Sequence, residues 1–267
     1  VNDPRRAASQ LRRELSQARH DPDHGVRFEP DRVLTTLRAV TGQPETAVAL
    51  LAEVWPAIPT DTDPAWLQAL CEAGTEPAAA LPTSLLSAVA FRRAAHTLRT
   101  RGLLRLAAHQ GMRELAVHRV RDDDPGATAA ALHDLARTYR AQGRLHKVID
   151  CADETLETHQ RHHNQPSTAH TLAHLGTLMI EVGRHDSAVK YLTRADKALE
   201  QLPDPIRRAE CLVDLGRALW LSGNHTTAHR AFNRALAVAI GLDDAVAHRI
   251  RDAVTEARQT PSIADAD

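Results

Sequence analysis

The side chains best suited to chemistry in this sequence are a group of histidines, three cysteines and a short acidic run. His159, His162, His163, His170 and His174 fall close together. A spacing of four places His170 and His174 on one helix face, an arrangement that can hold zinc. A hydrolytic zinc helix needs Glu directly after the first His, and Thr171 stands there. The five therefore read as solvated or packing residues. Cys71, Cys151 and Cys211 are isolated, odd in number and without Cys-x-x-Cys spacing, so they read as buried reduced thiols. Asp122-Asp123-Asp124 precedes Pro125 and reads as a cap or linker, since carboxylates favour the positive start of a helix. The sequence has no Gly-x-Ser-x-Gly elbow, no Gly-rich dinucleotide turn and no Gly followed by Lys. The expectation is a protein that is not an enzyme, with no catalytic residue, cofactor or metal.

Composition narrows the scaffold that carries these groups. Of 267 residues, 43% are apolar but only 3% aromatic. The core must then be built from Ala, Leu and Val, which favours helices over strands because Ala and Leu are strong helix formers. A net charge of −1 argues against a dedicated nucleic-acid binder, which is usually strongly basic. Basic charge is almost all Arg, with Lys only at Lys147, Lys190 and Lys197. That bias reads as GC-rich coding of the actinobacterial kind. No apolar stretch follows Arg5, Arg6, Arg12 and Arg13, so no secretory signal is visible. No run approaches the roughly 20 apolar residues of a membrane helix. A cytoplasmic protein without membrane contact is expected. The chain begins with Val, which fits either an alternative start codon or a cut from a longer precursor.

An internal repeat organises the second half. Aligning Leu135, Leu175 and Leu215, which lie 40 residues apart, brings other positions into register. Small residues follow each Leu: Ala136, Gly176 and Gly216. Large residues come next in Tyr139, Met179 and Leu219, then the turn glycines Gly143, Gly183 and Gly223. Val148, Ala188 and Ala228 follow, then Ala152, Leu192 and Phe232, and finally Thr155, Ala195 and Ala235. The small residue after the Leu sits where two helices touch, and the Gly allows a left-handed turn. Apolar spacings of three and four predict helices at about 127–141, 144–160, 167–182, 185–201, 205–222 and 225–240. Ser167 and Asp204 are candidate N-caps, and 243–257 reads as a terminal capping helix.

The first 120 residues do not follow this period. Residues 6–19 read as a polar helix or a disordered segment. Apolar arms lie at about 31–41, 45–54 and 63–73, divided by Gly42, Pro44, Pro56 and Pro59. A helix capped by Thr83 or Ser84 runs to Arg101, and Gly102 ends it. Leu104 and Leu106 then alternate with polar residues, Ala108-His109-Gln110-Gly111 offers a turn, and Leu115 and Val117 alternate again. That pattern predicts a short β-hairpin, and a helix followed by a hairpin makes a winged helix.

The repeat resembles the tetratricopeptide family, whose period is about 34 residues. The six extra residues here fall between repeats, around His162–Pro166 and Leu202–Pro205. The stretch Phe91–Val120 resembles the winged-helix segment of bacterial STAND-type signalling NTPases of the NB-ARC group, over roughly 31–120. That resemblance implies a nucleotide-phosphate contact by His118. The phosphate loop of that family is absent from this sequence, so no nucleotide hydrolysis is expected.

The expected fold is mainly all-α, a tetratricopeptide-type helical solenoid preceded by a small winged-helix-like α+β module. The expected domains are a polar segment at 1–30, the module at 31–120, three repeats at 125–241, and a capping helix with polar tail at 242–267. The expected function is a regulatory protein–protein interaction scaffold that binds a partner peptide in a repeat groove. By resemblance, the groove residues are His133, Arg137 and Arg140; His170, Thr177 and Glu181; and Glu210, Arg217 and Trp220. Arg137, Arg140 and Arg217 suit an acidic peptide or a chain terminus, since Arg binds carboxylates through two parallel hydrogen bonds. Homo-oligomerisation is compatible with this reading. The alternative is a DNA-binding winged-helix regulator with a tetratricopeptide sensing or oligomerisation domain, in which Arg92, Arg93, Arg99 and Arg101 meet phosphates.

Overall fold

The computed structural model describes residues 3–20 and 28–259. The remainder, which includes part of the expected N-terminal segment and of the polar tail, lies outside the described residues. All regular structure among the described residues is helical. None of these helices is long and apolar enough to cross a membrane. The chain divides into two compact units at Arg144 and Leu145.

The first unit holds α1 (Pro4–His20), α2 (Pro30–Ala39), α3 (Pro44–Val54), a 3-10 turn at Trp55–Ala57, α4 (Pro64–Ala73), α5 (Thr75–Ala79), α6 (Leu85–Thr100), α7 (Leu104–Arg121) and α8 (Pro125–Ala141). Five of these helices begin on the prolines that the sequence supplies at Pro4, Pro30, Pro44, Pro64 and Pro125. A proline at the first helical position costs nothing, because its missing N–H would have no partner there. Asp63 and Asp124 cap two of them, accepting from Ala65 N and Ala127 N at 2.9 Å each. The core gathers Leu11 and Leu15 of α1, Leu37 of α2, Leu50 of α3, Leu70 of α4 and Leu98 of α6.

The expected hairpin is not formed. Residues 104–121 are one continuous helix, α7, and no strand occurs among the described residues, so the winged-helix α+β module is corrected to an all-helical one. The alternation of Leu104 and Leu106 spans only three residues. The longer stripe is helical: Ala107, Gly111, Glu114 and His118 are all buried, at spacings of four, three and four. Its polar members, Glu114 and His118, hid the stripe. Gly111 is not a turn either. A Cβ there would stand 3.2 Å from Leu135 Cδ1, so the missing side chain allows α7 and α8 to approach.

The α6–α7 connection repeats the geometry of the later turns. Gly102, Gly143, Gly183 and Gly223 have φ of 73°, 71°, 73° and 80°. The residue after each glycine donates its N–H five residues back. Leu103 N donates to Leu98 O, Arg144 N to Tyr139 O, Arg184 N to Met179 O and Asn224 N to Leu219 O, at 2.8–2.9 Å. This is the Schellman ending, which needs a left-handed residue and selects Gly. Helices α6 and α7 thus form a divergent helix-turn-helix hairpin of the same kind, one that the 40-residue register missed.

The second unit holds α9 (Leu145–Arg161), α10 (Gln165–Glu181), α11 (His185–Leu199), α12 (Pro205–Leu221), α13 (His225–Ala239) and α14 (Asp244–Gln259). Asp204 caps α12 as expected, accepting from Arg207 N at 3.0 Å. The cap of α10 is Asn164, whose Oδ1 accepts from Ser167 N at 3.1 Å. Ser167 is therefore already inside the helix, because Gln165 and Pro166 fit its first turn. Gly176 and Gly216 lie where α10 meets α11 and α12 meets α13, against the fully buried Leu192 and Phe232. Asp196 of α11 is 7% exposed and accepts from Arg208 Nε of α12 at 3.1 Å and Arg234 Nη2 of α13 at 2.7 Å. One carboxylate therefore ties three helices together.

Candidate functional site

The sequence-predicted groove residues fall on the first helix of each hairpin. In α8, His133, Arg137 and Arg140 occupy one exposed face, at spacings of four and three. Arg137 lies 3.7 Å from Asp134 on its own helix. In α10, His170, Thr177 and Glu181 share one face with His174. In α12, Glu210 and Arg217 share a face, while Trp220 is half-buried at the end of the helix. Its ring meets those of His225 and His229 edge-on, with centroids 4.3 and 5.6 Å away.

Three of these residues come together in a cleft of the second unit. Helices α10, α12 and α14 enclose about 310 Å³ there, with His170, Thr177 and Glu210 among the lining groups. Glu181, Arg217 and Trp220 are not among them. His170 Nε2 is 3.2 Å from Asp204 Oδ2. Arg207 reaches Glu210 at 3.3 Å, and Arg249 of α14 approaches the same carboxylate at 3.7 Å. Apolar wall is supplied by Ala173, Val213, Ile250 and Ala253.

The cleft also contains Asp214, which the sequence reading did not select. Thr177 Oγ1 donates to Asp214 Oδ2 at 2.8 Å. Burial raises the Asp214 carboxyl above the ordinary aspartate value; Thr177 and Arg217 oppose that shift, and Glu210 and Glu181 add to it. A signal for this residue was present in the repeat. Asp134, His174 and Asp214 form the column directly before the aligned leucines Leu135, Leu175 and Leu215.

The histidines do not assemble into a metal centre. Among the described residues no three His, Cys, Asp or Glu side chains are grouped to hold a metal ion. His159 is buried, and burial, with a smaller effect of His162, lowers its pKa. Cys71 and Cys211 are buried thiols pushed up to about 12, chiefly by burial, so neither suits nucleophilic chemistry.

The four arginines of the DNA alternative are engaged within the first unit. Arg92 Nε pairs with the buried Glu114 at 2.7 Å. Arg93 donates to Ala52 O and lies 3.3 Å from Glu53. Arg99 Nη1 donates to Asp134 O at 3.2 Å, and Arg101 Nη2 to Ile58 O at 2.9 Å. His118, the expected phosphate contact, is 5% exposed inside α7, and burial, aided by Arg92, lowers its pKa. The winged-helix geometry on which that alternative rested is not formed.

Comparisons with known proteins agree with this all-helical architecture. No curated protein matches the chain. BtubC (BKLC) from P. vanneervenii is similar in fold at a TM-score of 0.51 and 19% identity, over 98% of this chain and 96% of that one. A Signal Transduction ATPase with Numerous Domains (STAND) protein with a tetratricopeptide repeat sensor, from Pyrococcus horikoshii, gives a TM-score of 0.57 at 12% identity. That match covers 95% of this chain and 40% of the other. Aspartyl phosphate phosphatase F from Bacillus subtilis gives 0.53 at 11% identity, over 94% of this chain and 69% of that one. At these identities the likeness is one of fold. The tetratricopeptide repeat family model matches residues 127–201 and 168–240, in the C-terminal half of this chain.

Proposed function

We propose that this chain is a non-catalytic interaction scaffold with a regulatory role, and that the exposed faces of its first helices hold a segment of a partner protein. The observation that carries this reading is the cleft among α10, α12 and α14, which gathers His170, Thr177 and Glu210 on one side of the second unit. Tetratricopeptide hairpins present such faces in series. Acidic residues of the partner would meet Arg137 and Arg140 on α8 and Arg217 on α12.

The test is affinity capture of the partner from the native cell, followed by titration of that partner against variants. Replacing Arg137, Arg140 and Arg217 together by Ala should weaken binding about tenfold or more, roughly 1.4 kcal/mol. Helical circular dichroism should not change, because all three side chains are exposed. Unaltered affinity in the triple variant would remove these faces from the account.

A further inference from the structure

The cleft of the second unit combines two features that together specify a ligand. Part of its wall is apolar, with Ala173 and Ile250 buried beneath the rim. Its acid, Asp214, is half-buried and receives a hydrogen bond from the neutral hydroxyl of Thr177. Two lining side chains have acidic neighbours: His170 lies against Asp204, and Arg207 pairs with Glu210. Arg217 favours the charged form of Asp214, but Glu210 and Glu181 oppose it. Two carboxylates, Glu210 and Asp214, thus line the cleft with one arginine, Arg207, while Arg249 stands 3.7 Å from Glu210.

We propose that this cleft receives a cationic side chain, the guanidinium of Arg or the ammonium of Lys, from the partner segment, with Asp214 as its anchor. The inference rests on the scaffold reading and deepens it. Long basic side chains are amphipathic, so their methylene stems would lie along Ala173, Val213 and Ile250 while the charged head meets the carboxylate. A charge-assisted hydrogen bond in such a setting is about twice as strong as a neutral one. A volume of about 310 Å³ accommodates one such side chain. A bare metal ion fits less well, since no three ligating side chains converge among the described residues. Acidic and basic residues of one partner would then be read by different faces, the acidic by the arginines named above and the basic by this cleft.

The experiment uses the full chain, isotope-labelled for NMR, and two probes: the blocked tripeptides acetyl-Gly-Arg-Gly-amide and acetyl-Gly-Glu-Gly-amide. The Arg peptide should give saturable shifts at Ala173, Thr177, Asp214 and Ile250, with at least fivefold tighter binding than the Glu peptide. Asp214→Asn keeps the shape and should weaken the Arg peptide at least fivefold. Thr177→Val, which removes the hydroxyl and keeps the branching, should alter the Arg-peptide affinity while leaving the helical spectrum intact. No shift at these residues, a preference for the Glu peptide, or equal binding by Asp214→Asn would overturn the proposal. A captured partner that is sensitive to the triple Arg variant but indifferent to Asp214→Asn would also overturn it, and would leave the scaffold reading standing.

Discussion

Asp196→Ala lowers the unfolding free energy by about 2–4 kcal/mol, the largest loss expected from any single substitution considered. Removing one partner of a buried ion pair typically costs about 3–5 kcal/mol, because the remaining charge stays desolvated. Two facts reduce that figure here. Arg234 is about half exposed, with a side-chain accessibility of 49%, and recovers water. Arg208 keeps its second partner, Glu200. The cost remains high because Asp196 links α11 to both α12 and α13, so the change loosens two helix contacts at once. Urea denaturation of wild type, Asp196→Ala, Arg234→Ala and the double variant measures it. The two sites should couple by at least ~0.5 kcal/mol, as directly interacting residues do. A loss below that value for Asp196→Ala would mean that the carboxylate is not buried between the helices.

Gly216→Ala should destabilise the protein by about 1–2 kcal/mol, against the usual trend for helices. Ala is favoured over Gly in a helix by about 1 kcal/mol. That gain is outweighed because the new Cβ would stand 2.4 Å from Phe232 Cε1 and 2.5 Å from Cδ1. The ring is fully buried and cannot swing away. Overpacking of this sort costs about 1–3 kcal/mol and sometimes more. The contrast within the chain is Gly111, where the nearest atom is a flexible Leu135 Cδ1 at 3.2 Å, so Gly111→Ala should be much milder. A Phe232→Ala background removes the obstruction, and there Gly216→Ala should become stabilising, because only the propensity difference remains. Equal effects of Gly216→Ala in both backgrounds would show that the ring does not set the spacing of α12 and α13.

These two sites differ in how visible they are from sequence. Gly176 and Gly216 stand in the repeat register directly after Leu175 and Leu215, and their role as contact residues is legible from that column. So are the turn glycines Gly143, Gly183 and Gly223, which recur in all three repeats between predicted helices. Asp196 is not legible, because its partners Arg208 and Arg234 lie 12 and 38 residues away and become neighbours only after the hairpins pack. Helix α7 was misread for a different reason. Its buried stripe includes two polar residues, His118 and Glu114, and Glu114 is paired with Arg92, a tertiary contact that no local pattern carries. Gly111 added to the error, since a glycine that permits close packing looks the same in sequence as one that permits a turn. Asp214 lies between the groove positions Glu210 and Arg217 in sequence. The family pattern drew attention to the residues on either side of it, whereas the three-helix cleft arises only when α14 closes against α12.

The central claim is that partner binding uses the first-helix faces and no reactive centre. Hydrogen–deuterium exchange of the full chain, with and without its captured partner, tests it most directly. The account predicts new protection in α10 and α12 around Thr177 and Asp214 and along the exposed face of α8, with α11 and α13 unchanged. Protection confined to α6 and α7, or to α11 and α13, would contradict it.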